Sequence, residues 1–256
     1  MVKLFHRELG GEGLPPLVLL HGMLGSSRNW QTAGRDLAER WHVLAPDLRN
    51  HGSSPHDAEM NYPAMVADVL AWMDAVGLDR AGVMGHSMGG KVAMELACRH
   101  PDRVAGLTVV DIAPRAYFWV GHRASFAAMN VLNLVYLRSR ADAELRFESR
   151  VPSWPLRKFL ATNLERTEEG TWRWQINLPV LTAAIPVLEG NPLSADDTFA
   201  GPVRFIAGGQ SAYIEAGDHA VIRRHFPAAR IEVIPESGHN PHMEAREAFV
   251  RLLRGN

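Results

Sequence analysis

Short apolar runs recur along the chain, and between them lie longer stretches in which apolar residues return every three or four positions. Leu17–Leu20 runs into His21-Gly22, Val43–Ala45 into Pro46-Asp47, and Gly82–Met84 into Gly85. Leu107–Val110 runs into Asp111, Val203–Ile206 into Gly208-Gly209, and Ile231–Ile234 into Ser237-Gly238-His239. Short fully apolar segments alternating with helical periods predict an α/β architecture, a mostly parallel central sheet with helices on both faces. In such a sheet, ligands bind beyond the carboxyl ends of the strands, so the residues that follow these six runs converge on one region.

The helical stretches include 65–76, with apolar residues at 65, 66, 69, 70, 73 and 76, and 91–99, closed by His100-Pro101. A last helix is expected over 244–253. From Arg115 to about Leu188 the alternation breaks. Several helices are expected there, with Trp119, Trp154, Trp172 and Trp174 and prolines at 152, 155, 179 and 186. This stretch predicts an inserted helical lid over residues 115–188, dividing a single core domain into 1–114 and 189–256. Its tryptophans either pack the lid onto the core or, as expected for Trp119 and Trp154, face the substrate.

Gly85-His86-Ser87-Met88-Gly89 sits between an apolar strand and a helix. A sharp turn there lifts the Ser87 hydroxyl clear of the sheet, and glycines on either side remove side chains that would collide. A serine hydroxyl is a weak nucleophile at neutral pH. It needs a base within about 3 Å and donors for the oxyanion it creates. His239, between the last strand and the last helix, is the expected base; His242 begins that helix and is the nearest rival. His86 adjoins the turn and is expected to shape the site. The expected oxyanion donors are the backbone amides of Met88 and of Met23 in His21-Gly22-Met23-Leu24-Gly25, with His21 and Leu24 beside the substrate.

These motifs together resemble the α/β-hydrolase superfamily over essentially the whole chain, which implies the α/β-hydrolase fold. Within it, Pro46-Asp47-Leu48-Arg49-Asn50-His51-Gly52-Ser53-Ser54, Met60-Asn61-Tyr62-Pro63-Ala64-Met65 and Trp172–Pro179 are similar to the YbfF-type esterases. The resemblance implies hydrolysis of short to medium acyl esters or thioesters without a cofactor. One position departs from the common hydrolase pattern: after Val203–Ile206, Gly208-Gly209-Gln210-Ser211 has a serine where most relatives have the aspartate that orients the histidine. A neutral hydroxyl cannot stabilise an imidazolium as a carboxylate does. Asp111, at the end of the strand after the elbow and within an Asp-Ile-Ala-Pro segment also similar to that family, is the preferred acid. Asp218 is the runner-up, and Glu215, Asp196 and Asp197 stay open.

Composition narrows the chemistry. The 27 basic and 28 acidic side chains nearly cancel, which argues against nucleic acid or an anionic membrane as partner and for a small ester substrate. No run approaches a membrane span, and residues 1–13 lack the apolar core of a signal peptide. A single cysteine, Cys98, excludes an internal disulfide and a thiolate zinc cluster, and no HExxH spacing occurs, so neither metal nor cofactor is expected. A cytoplasmic monomer or small homo-oligomer follows. The same fold also hosts carbon–carbon bond hydrolases, lactonases and non-catalytic ligand binders, which remain the alternatives.

Overall fold

The computed structural model describes residues 1–255. A seven-stranded sheet runs β1 (His6–Gly10), β2 (Pro16–Leu20), β3 (His42–Pro46), β4 (Ala81–His86), β5 (Val104–Val110), β8 (Val203–Gly208) and β9 (Ala229–Ile234). In space the order is β1-β3-β2-β4-β5-β8-β9; β1 pairs antiparallel to β3 and every other pairing is parallel. β1 escaped the sequence reading because its residues, His-Arg-Glu-Leu-Gly, form a polar edge strand without an apolar run. The other six strands coincide with the apolar runs.

Those runs are continuous because both sheet faces are buried. Val18 and Leu20 point into the larger core, while Leu17 and Leu19 point into a second core on the opposite face. Val109 and Val110, and Phe205 and Ile206, divide in the same way. Helices α2 (Tyr62–Ala75), α3 (Met88–Arg99) and α8 (His219–His225) contribute to the first face. Helices α1 (Gln31–Leu37) and α10 (Arg246–Arg254) cover the second, with the short α9 (Pro241–Glu244) leading into α10. Asn61 starts α2 by accepting the Ala64 amide at 2.8 Å, and Pro63 follows within the first turn.

Between β5 and β8 stand α4 (Val120–Asn130), α5 (Arg140–Phe147), α6 (Trp154–Ala161), the hairpin β6 (Leu164–Arg166) and β7 (Trp172–Trp174), and α7 (Leu178–Glu189). Polar contacts fasten this insertion to the core at several points, among them Asn163 to the Leu24 carbonyl at 3.0 Å and Tyr62 to the Leu188 carbonyl at 2.5 Å. Asn177 bonds through its amide and side chain to the carbonyl and side chain of Asn50, both at 3.0 Å, so the Asn-His-Gly loop and the Trp172–Pro179 stretch meet in space. At the other side, fully buried Lys91 on α3 donates to the carbonyls of Glu189 at 3.2 Å and Gly190 at 2.5 Å. The rings of Tyr62, Tyr117 and Trp119 surround its ammonium at 5.0–5.7 Å. Burial, reinforced by Arg115, lowers the Lys91 ammonium to about 7.

Candidate active site

The strand ends carry unusual backbone. Leu24, Asn50, Ser87 and Asp111 are the positive-φ residues other than glycine among those described, and they follow β2, β3, β4 and β5 respectively. Such conformations cost on the order of 1–3 kcal/mol each and are held by surrounding structure. At Ser87 (φ 51°, ψ −117°), the amide donates to the Val110 carbonyl at 3.0 Å. The turn closes only because its flanks lack side chains: a Cβ at Gly85 would lie 2.1 Å from the Gly89 carbonyl oxygen, and one at Gly89 2.5 Å from the His21 and Leu20 oxygens. Ser87 occupies the N-cap position of α3 without capping it, which leaves its hydroxyl for another partner.

That partner is His239, whose Nε2 lies 3.1 Å from Ser87 Oγ. His239 Nδ1 is 2.8 Å from Asp111 Oδ2, and Asp111 also accepts the Ser211 hydroxyl at 2.5 Å and the Gly208 amide at 2.9 Å. Burial raises the Asp111 carboxyl to about 6, with Ser211 and Gly208 working against the rise; burial lowers the His239 imidazole to about 4. At neutral pH the arrangement is therefore an ionised Asp111 accepting from Nδ1–H, with Nε2 open to accept from the serine hydroxyl. Asp218 is occupied elsewhere, paired with Arg115 at 2.7 Å, and Asp197 accepts the Ser194 amide and pairs with Arg99.

Other groups hold this line in place. His86 Nε2 donates to the His239 carbonyl at 2.8 Å, and Glu244 accepts the Gly238 amide at 2.6 Å, so the loop carrying His239 is held from both sides. Tyr213 stacks on the His239 ring. Neither Glu244 nor Tyr213 carried a sequence signal beyond proximity to the motif. His21 and His51 are buried and kept neutral by desolvation, His51 falling to about 3. Each donates from Nδ1 to a backbone carbonyl and accepts a backbone amide at Nε2, from Leu48 for His21 and from Leu24 for His51. They fix the loops after β2 and β3. The Leu24 bond and the Gly25 amide on the Gly22 carbonyl set the turn that carries the Met23 amide. Met88 opens α3, where an amide has no intrahelical acceptor.

A cavity of about 490 Å³ opens over Ser87. Met23, Leu24 and His86 line it from the core, and α4 and α6 of the insertion add His122, Ser125, Leu156 and Phe159. Three sequence expectations for this wall need correcting. His21 lies behind it, engaged with backbone as described. Trp119 is buried at the Lys91 cage, its amide bonded to Glu189, so it packs the base of the insertion. Trp154 is 54% exposed with Lys158 over its ring, on the outer side of α6. An aromatic residue in a helical insertion announces burial or contact, but not direction. A larger, more open recess of about 580 Å³ lies at the opposite ends of the strands, among Pro15, Arg80 and Pro202, remote from Ser87.

A family model described as the alpha/beta hydrolase fold matches residues 15–246. The chain belongs to the α/β-hydrolase family. This α/β-hydrolase is 38% identical over 246 residues to the sn-1-specific diacylglycerol lipase ABHD11 of Xenopus laevis, covering 93% of this chain and 78% of that one. It is 37% identical over 240 residues to the esterase YbfF of Escherichia coli K12, covering 93% and 91% of the two chains. Among solved structures, a marine microorganism esterase superposes with a TM-score of 0.96 at 33% identity, covering 100% of this chain and 99% of the other.

Proposed function

We propose that this chain is a serine carboxylesterase that hydrolyses short to medium acyl esters through an acyl-enzyme on Ser87. The observation that carries the reading is the unbroken hydrogen-bonded series from Asp111 through His239 to Ser87, at 2.8 and 3.1 Å, opening on a largely apolar cavity. The relatives named as esterases and diacylglycerol lipases support the bond class and put acyl glycerols among the esters to be tried.

In the proposed reaction, His239 Nε2 takes the Ser87 proton as Oγ attacks the ester carbonyl carbon. The amides of Met23 and Met88 hold the resulting oxyanion, each contributing about 2.7–4 kcal/mol to the transition state. The imidazolium returns its proton to the leaving alcohol, and a water, deprotonated by the same nitrogen, releases the acid and restores Ser87. Asp111 is the acid of the triad: it holds His239 in the tautomer with Nδ1–H and stabilises the charged ring. Ser211 acts through Asp111 by donating to the oxygen that faces His239. Residues 115–188 form the lid, which sizes the acyl pocket through Leu156 and Phe159. The chain works as a soluble enzyme in the reducing cytoplasm. Its one cysteine, with the thiol pushed up to about 12 by burial, is consistent with that.

Initial rates on p-nitrophenyl esters from acetate upward, with Ser87→Ala as control, test the reading. Rates that vanish with Ser87 and peak at one acyl length support it. Rates that survive the substitution, or none on any ester, reject it in favour of a carbon–carbon hydrolase, a lactonase or a binder; fluorophosphonate labelling of Ser87 separates the enzymes from the binder.

A further inference from the structure

The near-neutral total charge conceals a segregated distribution. Residues 131–161 hold six Lys and Arg against three Asp and Glu, leaving 21 basic against 25 acidic side chains in the rest of the chain. Two of the three acids are already neutralised: Asp142 pairs with Arg138 and Arg146, and Glu148 with Arg157. Arg138, Arg150 and Lys158 face solvent. The same stretch exposes large apolar side chains, Val135 at 86% and Tyr136 at 70%, with Val131 and Leu145 exposed as well. Arg146 donates to the Tyr136 carbonyl at 2.7 Å and α5 packs on α6, so loop 131–137, α5 and α6 form one body. The other side of α6 supplies Leu156 and Phe159 to the cavity over Ser87.

We propose that this outer face of the insertion is a docking surface for an anionic lipid–water interface. An apolar patch alone would equally suit a second copy of the chain, but two such faces brought together would oppose their excess positive charge. Negatively charged headgroups remove that repulsion, and each Lys or Arg near such a surface adds to binding while exposed Val and Tyr side chains enter the interfacial layer. Neither signal suffices alone, as is usual for reversible peripheral binding. On this proposal the field that matters is local, and the near-zero total averages two opposite regions.

Flotation of the full chain with vesicles of phosphatidylcholine, alone or mixed with phosphatidylglycerol, tests this at low and high salt. The wild type is expected to float with the anionic vesicles at low salt and to be released by high salt. Val135→Ser/Tyr136→Ser and Arg138→Gln/Arg150→Gln should each weaken binding about tenfold or more. Both variants should keep the wild-type urea midpoint and the wild-type rate on a soluble ester. A wild type that never floats overturns the proposal. So do variants that float as well as wild type, which would place the contact elsewhere, and equal binding to uncharged vesicles in high salt, which would remove the charge argument. Retention on an acidic protein surface but not on vesicles would assign the face to a protein partner instead. Docking is read without turnover, so its failure is distinct from failure of the esterase reading.

Discussion

The ring of Tyr213 lies face to face with the imidazole of His239, centroids 3.8 Å apart and planes inclined by 19°. Its backbone is held on both sides, the amide on Ser211 Oγ at 3.2 Å and the carbonyl by the Tyr117 hydroxyl at 2.6 Å. An imidazolium formed during acyl transfer would meet the electron-rich face of this ring, a contact worth about 0.5–2 kcal/mol. Tyr213→Leu should therefore lower kcat/KM by about tenfold and move the acid limb of its pH profile to lower pH, while Tyr213→Phe leaves both in place. An unmoved acid limb in Tyr213→Leu would reduce the ring to packing.

The carboxylate assignment has a direct comparison. Asp111→Asn should cost on the order of 10³–10⁴ in kcat, because the ring loses the partner that fixes its tautomer and balances its charge. Asp218→Asn, which removes the partner of Arg115, should leave kcat within about twofold and register mainly as a change in stability of roughly 1 kcal/mol. Ser211→Ala should fall between, at about tenfold, since one of three donors to Asp111 disappears. The reverse ranking of the two aspartates would move the acid to Asp218.

Acid should unfold the protein early. Desolvation holds His21, His51, His86, His122, His239 and His242 below the ordinary value of 6.5, with His51 at about 3 and His122 and His239 at about 4. The unfolded chain binds protons that these sites refuse, so their contribution is complete above about 6.5 and is lost as pH falls toward 4. Asp111 and Glu95, raised to about 6, act in the opposite sense and offset part of the loss. The unfolding free energy from urea titration should drop sharply between pH about 7 and about 5, by an amount on the order of several kcal/mol, and the midpoint with it. A midpoint independent of pH over that range would contradict the buried, neutral state of these rings. In the same window the acid limb of kcat/KM should lie at or below about 6, the pair of Asp111 and His239 titrating as a unit.

Lys91 offers a test at the base of the insertion. Lys91→Met keeps the apolar stem but leaves the Gly190 carbonyl without the donor it has in Lys91, while the Glu189 carbonyl keeps only the Tyr117 amide. The expected loss is about 1–3 kcal/mol. Amide hydrogen exchange should accelerate at 115–119 and 188–190 before it does in β4 and β5, and uniform acceleration would mean that the lysine serves the whole core.

The sheet was readable in the chain because six strands are buried on both faces and spell themselves as apolar runs. β1 was not, because an antiparallel edge strand needs no such run. Ser87 and His239 could be placed together because each sits at a strand end where only a tight turn, rich in glycine, fits. Asp111 was reached through the absence of a carboxylate at 211, and the structure brings Ser211 and Asp111 into contact as donor and acceptor. Two supports were opaque: Tyr213 and Glu244 act on His239 through a stack and a loop amide, and neither leaves a pattern in sequence, whereas His86, inside the Gly85–Gly89 turn, was expected to shape the site. Trp119 and Trp154 were misplaced for a related reason, since helical period without a strong apolar face does not say which side of a helix faces the cavity.

Tyr117 donates its amide to the Glu189 carbonyl at 2.8 Å, so the chain leaves the core and returns to it through one doorway. A segment whose ends already touch can be exchanged without moving its host, which is the circumstance in which domain grafts succeed. Residues between this doorway supply the α4 and α6 walls of the cavity, whereas Ser87, Asp111 and His239 all lie outside it. The proposed triad and these two walls thus lie on separate stretches of chain, and a foreign insertion joined at these two residues would leave Ser87, Asp111 and His239 in place provided it replaced the bonds that Asn163 and Asn177 make to Leu24 and Asn50.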